Sequence, residues 1–140
     1  MVLMPRRVKY RKSQRGKIRG LSTRGDMLTF GEYGLKALEN GLIRANQIEA
    51  ARVVVVRQLR GAGKLWIKIF AHKPVTKKPA ETRMGKGKGD LDHWVAVIKR
   101  GKVLFELGGV PKEFAKKVLR LVAFKLPIRS KFVSRDSYYT

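Results

Sequence analysis

The sequence predicts an α+β domain, a two-layer sandwich with two helices on a mixed or antiparallel sheet, plus a basic N-terminal arm and a long basic glycine-rich loop. Three observations predict it. Two segments carry apolar residues at helical spacing, while several short runs alternate as strands do. Helices and strands are mixed without the strict alternation of a doubly wound sheet. The chain has 140 residues, enough for one domain with a real core.

The arm is residues 1–25. Arg6, Arg7, Lys9, Arg11, Lys12, Arg15, Lys17, Arg19 and Arg24 stand there without one acid. Gly16, Gly20 and Gly25 break any period. Uncompensated like charges repel, so the arm is expected to be disordered alone and to fold onto an anion. Its arginines can pair phosphate bidentately, as lysine cannot.

The domain is residues 26–134. Met27–Phe30 reads as a short strand and Glu32–Glu39 as a short helix stopped by Asn40-Gly41. The first long helix runs from about Ala45 to Arg60. Ile48, Arg52, Val55 and Leu59, with Ala51 and Val56, make one mostly apolar face. Val53–Val56 is β-branched, but length and spacing favour helix. Gly61 and Gly63 end it. Leu65–Phe70 alternates as a strand, with Leu65, Ile67 and Ile69 on one face. His93–Ile98 and Lys102–Leu107 are two more strands, and Lys99-Arg100-Gly101 between them reads as a hairpin turn. A second helix, Pro111–Lys125, buries Phe114, Val118, Leu121 and Val122, leaving Lys112, Lys116, Lys117 and Arg120 largely off that stripe. Ile128–Val133 is a last strand, and residues 135–140 read as a flexible tail.

The loop is Lys73–Asp90. Pro74 and Pro79 remove backbone donors. Arg83, Met84, Gly85, Lys86, Gly87, Lys88 and Gly89 follow, with glycine letting the backbone approach a ligand and lysine bringing charge to the same place. So long a loop in a compact domain is usually functional or disordered.

Charge narrows the function. Lys and Arg number 33 against 10 Asp and Glu, a net charge of +23. A polyanionic partner explains that excess, since each neutralised phosphate releases a counterion. Nucleic acid is the first candidate and an anionic membrane the second. The chain has no cysteine, which excludes disulfides, zinc ribbons and thiol nucleophiles. No apolar run approaches the length of a membrane span.

Enzymatic chemistry has little to build on. The one polar cluster is His72, Asp90, Asp92 and His93, which reads as two acids closing a basic loop beside a strand-edge histidine. A metal-dependent RNA hydrolase on these residues is the competing hypothesis; a non-specific cationic DNA- or membrane-binding protein is the third. The glycine loop is neither a P-loop nor a dinucleotide fingerprint, because a strand follows it and no helix opens on it. Trp66, Phe70, Trp94 and Phe105 fall singly on strands, where core packing is expected, and no stacked pair stands at ribonucleoprotein-motif spacing.

Several stretches carry a family resemblance: Lys9-Tyr10-Arg11-Lys12, Arg19-Gly20-Leu21, Phe30-Gly31, Gly34-Leu35-Lys36-Ala37, and Gln47 to Arg52. Further on come Gly63-Lys64, Trp66-Ile67, Lys73-Pro74, Lys78-Pro79, Arg83 to Gly89, Trp94-Val95-Ala96, Gly101 to Glu106 and Lys125-Leu126-Pro127. Together they resemble the large-subunit ribosomal protein family numbered sixteen in bacteria, whose archaeal and eukaryotic relatives are the L-ten-e proteins. The resemblance covers nearly residues 3–133. It implies a hammerhead-like sandwich and a structural role in the large ribosomal subunit, with no chemistry, cofactor, metal, membrane or homo-oligomer. The implied partners are 23S rRNA, neighbouring ribosomal proteins, A-site tRNA and, beside it, P-site tRNA. Carried over, the nine arm cations bind rRNA. Arg83, Lys86 and Lys88 are the cations nearest the functional centre, on a backbone made slim by Gly85, Gly87 and Gly89. The implied place is the large subunit of a cytoplasmic ribosome, with an organellar one left open. An arm so rich in arginine would also suit a transit peptide, but Lys9 to Leu21 falls in the family's mature region, so the arm is expected to be retained. One departure stands at the first helix, where Arg44 occupies the place of a Ser or Thr cap. Asn46 is the alternative cap for a later start.

Overall fold

The computed structural model describes residues 4–10, 12–14, 16–77 and 87–138. Strands β1 (Tyr33–Ala37) and β2 (Gly41–Arg44) precede helix α1 (Ala45–Leu59). Then come β3 (Lys64–Ile67), β4 (Lys73–Lys77), β5 (Asp90–Ile98), β6 (Val103–Gly108), helix α2 (Lys112–Ala123) and β7 (Ser130–Ser134). The α+β class holds. The β layer is two antiparallel sheets, one of four strands in the order β3-β6-β1-β7 and one of three in the order β2-β5-β4.

The helices pack on each other, α1 also against β2, β3 and β5, and α2 also against β1 and β7. Ile43, Ile48, Val55, Ile98, Phe105 and Leu119 are fully buried between these layers. On α1 the expected face is buried through Ile48, Ala51, Val55 and Leu59, while Val56 turns outward. On α2, Val118 and Val122 are buried as expected, joined by Ala115 and Leu119. Arg44 is the N-cap residue of α1, with its own N–H donated to the Gln47 side chain at 2.9 Å. An arginine has no side-chain acceptor, so only this half of a capping box can form. Arg60 ends the helix in the left-handed region at φ 49°.

Four local expectations are corrected. Met27–Phe30 is a bent segment, not a strand. The expected helix Glu32–Glu39 is instead β1, held between β6 and β7. Gly34 lies within it, and a Cβ there would stand 2.9 Å from the Phe105 carbonyl oxygen and 2.5 Å from a Leu28 methyl. Pairing on both edges outweighs what a segment too short to nucleate a helix prefers.

The turn at Lys99–Lys102 exists, with Lys102 donating to the Lys99 carbonyl at 3.2 Å, but it closes no hairpin. Strand β5 pairs with β2 and β4, whereas β6 pairs with β1 and β3, so the chain passes from one sheet to the other there. Asn40 fastens the crossing by accepting the Arg100 N–H at 2.6 Å.

Finally, the loop does not begin at Lys73. Residues Lys73–Lys77 are β4, the edge strand of the smaller sheet, where a proline such as Pro74 costs no central ladder bond. Strands β4 and β5 pair Lys73 with Val95 and Lys77 with Asp90, and residues 78–86 of the expected loop lie outside the described residues.

Candidate nucleic-acid interface

The arm has no helix or strand among its described residues, yet it is fastened to the domain. At its far end Ser22 donates to the Arg100 carbonyl at 2.9 Å, and the Gly25 carbonyl accepts from Val103 at 2.7 Å. Midway, Asn40 reaches the Ile18 carbonyl at 3.4 Å. Near its start Val8 packs on the core. Arg6, Arg7, Lys9, Lys12, Lys17, Arg19 and Arg24 are all exposed. The expected arm residues Arg11 and Arg15 lie outside the described residues.

The hairpin comes to the arm. Lys12 donates to the Lys88 carbonyl at 3.4 Å, and Lys88 donates its ammonium to the Ser13 carbonyl. Between arm and stem lies a cleft of about 370 Å³, lined by Ser13, Leu42, Lys73, Pro74, Thr76 and Lys88 among others. Of the expected tip residues, Gly87, Lys88 and Gly89 are described, and Gly87 has φ 85°, which favours glycine. Arg83, Met84, Gly85 and Lys86 lie outside the described residues. Two motifs read separately in the sequence thus meet at one place.

A second set of exposed cations lies on α2 and β7. Lys112, Lys116, Lys117 and Arg120 are exposed on α2, as their spacing predicts, and Lys131 is exposed on β7. Grooves of about 520 and 390 Å³ run between that helix and strand, both bordered by Lys116.

Three of the acids are paired away from these cations. Glu49 takes Arg52 at 2.5 Å, Glu39 takes Arg129 at 3.4 Å and Glu106 takes Lys68 at 3.5 Å. The Arg52 hydrogen bond holds the Glu49 carboxyl below its ordinary range, and Glu49 in turn raises Arg52. Among the described residues no ion pair engages an arm cation or the α2 lysines. Those charges are left for an external anion.

The His72, Asp90, Asp92 and His93 cluster does not converge as a metal site. Asp92 pairs with its neighbour His93 at 2.6 Å, with Arg44 at 4.0 Å, and His72 bonds the Phe70 carbonyl at 3.2 Å. Among the described residues no group of His, Asp and Glu has the arrangement to hold a metal ion. The hydrogen bond from His93 pulls the Asp92 carboxyl below its ordinary range, with Lys77 and Arg44 adding to it.

One buried carboxylate escaped the sequence reading. Glu106, fully buried on β6, accepts the N–H groups of Thr29, Phe30 and Gly31 at 2.7, 2.9 and 3.1 Å through one oxygen. Arg135 donates to the Thr29 and Gly31 carbonyls at 3.2 and 3.1 Å from the other side. Residues Arg135–Tyr138, expected to belong to a flexible tail, form a 3-10 turn that presents this arginine. A lone Glu in an apolar strand, Val-Leu-Phe-Glu-Leu, was the available signal.

The aromatics divide. Trp94 and Phe105 are in the core, as expected. Phe70 is exposed, and Trp66 is half-buried, stacked on Phe30 with ring centroids 6.1 Å apart. No helix among the described residues is long and apolar enough to cross a membrane.

A small α+β domain with a fastened cationic arm, a basic hairpin and exposed cations that no ion pair among the described residues neutralises belongs to the class of proteins that bind polyanions as structural components. The sequence model of the family "Ribosomal protein L16p/L10e" matches residues 5–133, and the chain belongs to that family. Membership makes it an RNA-binding structural constituent of the large ribosomal subunit, a component of the translation machinery, with ribosomal RNA and neighbouring ribosomal proteins as its partners.

Proposed function

We propose that the chain grips 23S rRNA through its arm and presents the tip of the β4–β5 hairpin to A-site tRNA, with P-site tRNA as the next neighbour, and that it catalyses nothing. The observation that carries this reading is the junction of Lys12, Ser13 and Lys88, which joins arm and hairpin into one cationic surface. Phosphate contacts position a protein on RNA, and a chain anchored by many of them can hold a projecting tip in fixed register. In this reading Arg6, Arg7, Lys9, Arg11, Lys12, Arg15, Lys17, Arg19 and Arg24 meet rRNA phosphates. Arg83, Lys86 and Lys88 meet RNA at the functional centre, and Gly85, Gly87 and Gly89 keep the tip thin beside Met84.

Division of labour tests it. Deleting residues 1–24 is expected to reduce incorporation into large subunits. Changing Arg83 and Lys86 to alanine is expected to leave incorporation nearly intact and to weaken A-site tRNA binding to the resulting ribosomes. Normal assembly of the arm deletion, with failed assembly of the tip variant, would reverse the assigned roles.

A further inference from the structure

We propose that Phe30 and Trp66 form a stacking platform for one unpaired RNA base, with Lys64 beside it for an attached phosphate. This deepens the RNA-binding reading above and rests on it.

Strand alternation puts Lys64 and Trp66 on the face of β3 opposite to Leu65 and Ile67, which pack toward the core. Trp66 lies over Gly108 of the neighbouring strand. A Cβ at Gly108 would stand 3.1 Å from the indole Cζ3, so the glycine makes the seat on which the ring rests. Phe30 is brought to it by the three N–H bonds to Glu106 and by Arg135 behind. The rings lie at an interplanar angle of 20°. Yet Phe30 remains 58% exposed.

A single exposed apolar residue needs no explanation. Two rings stacked, fixed from below by a fully buried carboxylate and flanked by ammonium groups, are a different object. The Lys68 Nζ lies 4.5 Å from the Phe30 ring centroid and the Lys64 Nζ 5.7 Å from that of Trp66. Unpaired bases stack on aromatic side chains in this manner, and Lys64 beside the rings matches the phosphate that such a base carries, while Lys68 is held by Glu106. Holding Phe30 in place beforehand removes much of the ordering cost of binding. An apolar protein side chain would gain from the rings but not from the exposed Lys64, which has no ion pair among the described residues, so the charge favours RNA.

The test uses the full chain and two short single-stranded RNAs of equal phosphate number. One carries 2-aminopurine at its centre, and the other has abasic sugars throughout. The base-bearing strand is expected to bind more tightly and to lose 2-aminopurine fluorescence on binding. Phe30→Ala and Trp66→Ala are each expected to raise its Kd about ten-fold and to restore the fluorescence, leaving the abasic strand's Kd unchanged. Phe30→Tyr keeps a ring face and should behave as the parent. Phe30→Leu keeps apolar bulk without a ring, so a loss there cannot come from misfolding of a truncated side chain.

Equal binding of both strands, with steep salt dependence, would overturn the platform and leave the phosphate-gripping reading standing. Binding of neither strand would overturn both. Unchanged RNA affinity for Phe30→Leu, together with weaker incorporation into subunits, would give the rings a protein neighbour instead and overturn the assignment to RNA.

Discussion

The Lys88 ammonium donates to the Ser13 carbonyl, tying the hairpin tip's base to the arm across 75 residues of sequence. Lys12 returns the contact through the Lys88 carbonyl. Neither residue loses its charge to an acid among the described residues, so the junction concentrates positive potential where arm and hairpin meet.

That junction predicts coupling. Lys88→Ala should lower the slope of log affinity against log salt for ribosomal RNA by about one in the full chain, as loss of one phosphate partner does, and by more if the arm loosens. In a chain lacking residues 1–24 the same substitution should have a smaller effect. Filter binding across a salt series on the four variants measures it. Strict additivity would mean that arm and hairpin act independently.

Glu106 should be a stability hot spot. Glu106→Ala leaves three N–H groups and Lys68 without their carboxylate. The expected loss is about 2–4 kcal/mol, read from urea unfolding. Glu106→Gln keeps an acceptor oxygen and should lose less. A loss below about 0.5 kcal/mol for the alanine variant would mean that the Thr29–Gly31 segment does not depend on this anchor.

Arg60 occupies the left-handed region at the end of α1. Glycine is free of the Cβ clash there, so Arg60→Gly should stabilise the chain by about 0.5–1 kcal/mol, raising Tm by about 2–4 °C. Arg60→Val should destabilise it, since β-branching worsens the same clash. Thermal melts of the three proteins settle the order.

The Asp92–His93 pair makes an acid-limb prediction. The Asp92 carboxyl titrates lower in the folded chain than its ordinary value of about 3.9. A depressed folded value means that its stabilisation is complete above the unfolded value and is lost as pH falls through the folded one. Asp92→Asn should therefore flatten the decline of Tm below about pH 4 and leave its shape between pH 5 and 8 unchanged. The effect should be small, since the pair faces solvent. No cleavage of structured RNA should accompany either protein; cleavage lost in Asp92→Asn would revive the hydrolase hypothesis.

Much of this fold was legible because its signals are local. The stripe on α1 and the punctuation by Gly61 and Gly63 name that helix despite Val53–Val56, and Pro111 marks the start of α2. The misses are non-local. Lys99–Gly101 looks like a hairpin turn because turn chemistry is local, whereas the sheet each flanking strand joins is not. Pro74 looks like a breaker unless the strand's place at an edge is known. Glu32–Glu39 becomes a strand only because β6 and β7 lie on either side of it.

The candidate site divides the same way. The arm's cations and the run Arg83–Gly89 stand out as composition. The meeting of Lys88 with Ser13, and of Phe30 with Trp66, depends on contacts that no spacing encodes. Leu126-Pro127 marks the end of α2 only to within a turn, since the helix stops at Ala123, and nothing downstream of Ser134 foretells that Arg135 clamps a segment more than a hundred residues earlier.

The central claim is that this chain is an integrated RNA-gripping component of the large ribosomal subunit. Sedimentation of tagged protein from cell lysate through sucrose gradients, at low and then high salt, tests it most directly. The expected result is co-migration with large subunits that survives washing until salt is high. Recovery only in the free-protein fractions at low salt would contradict it.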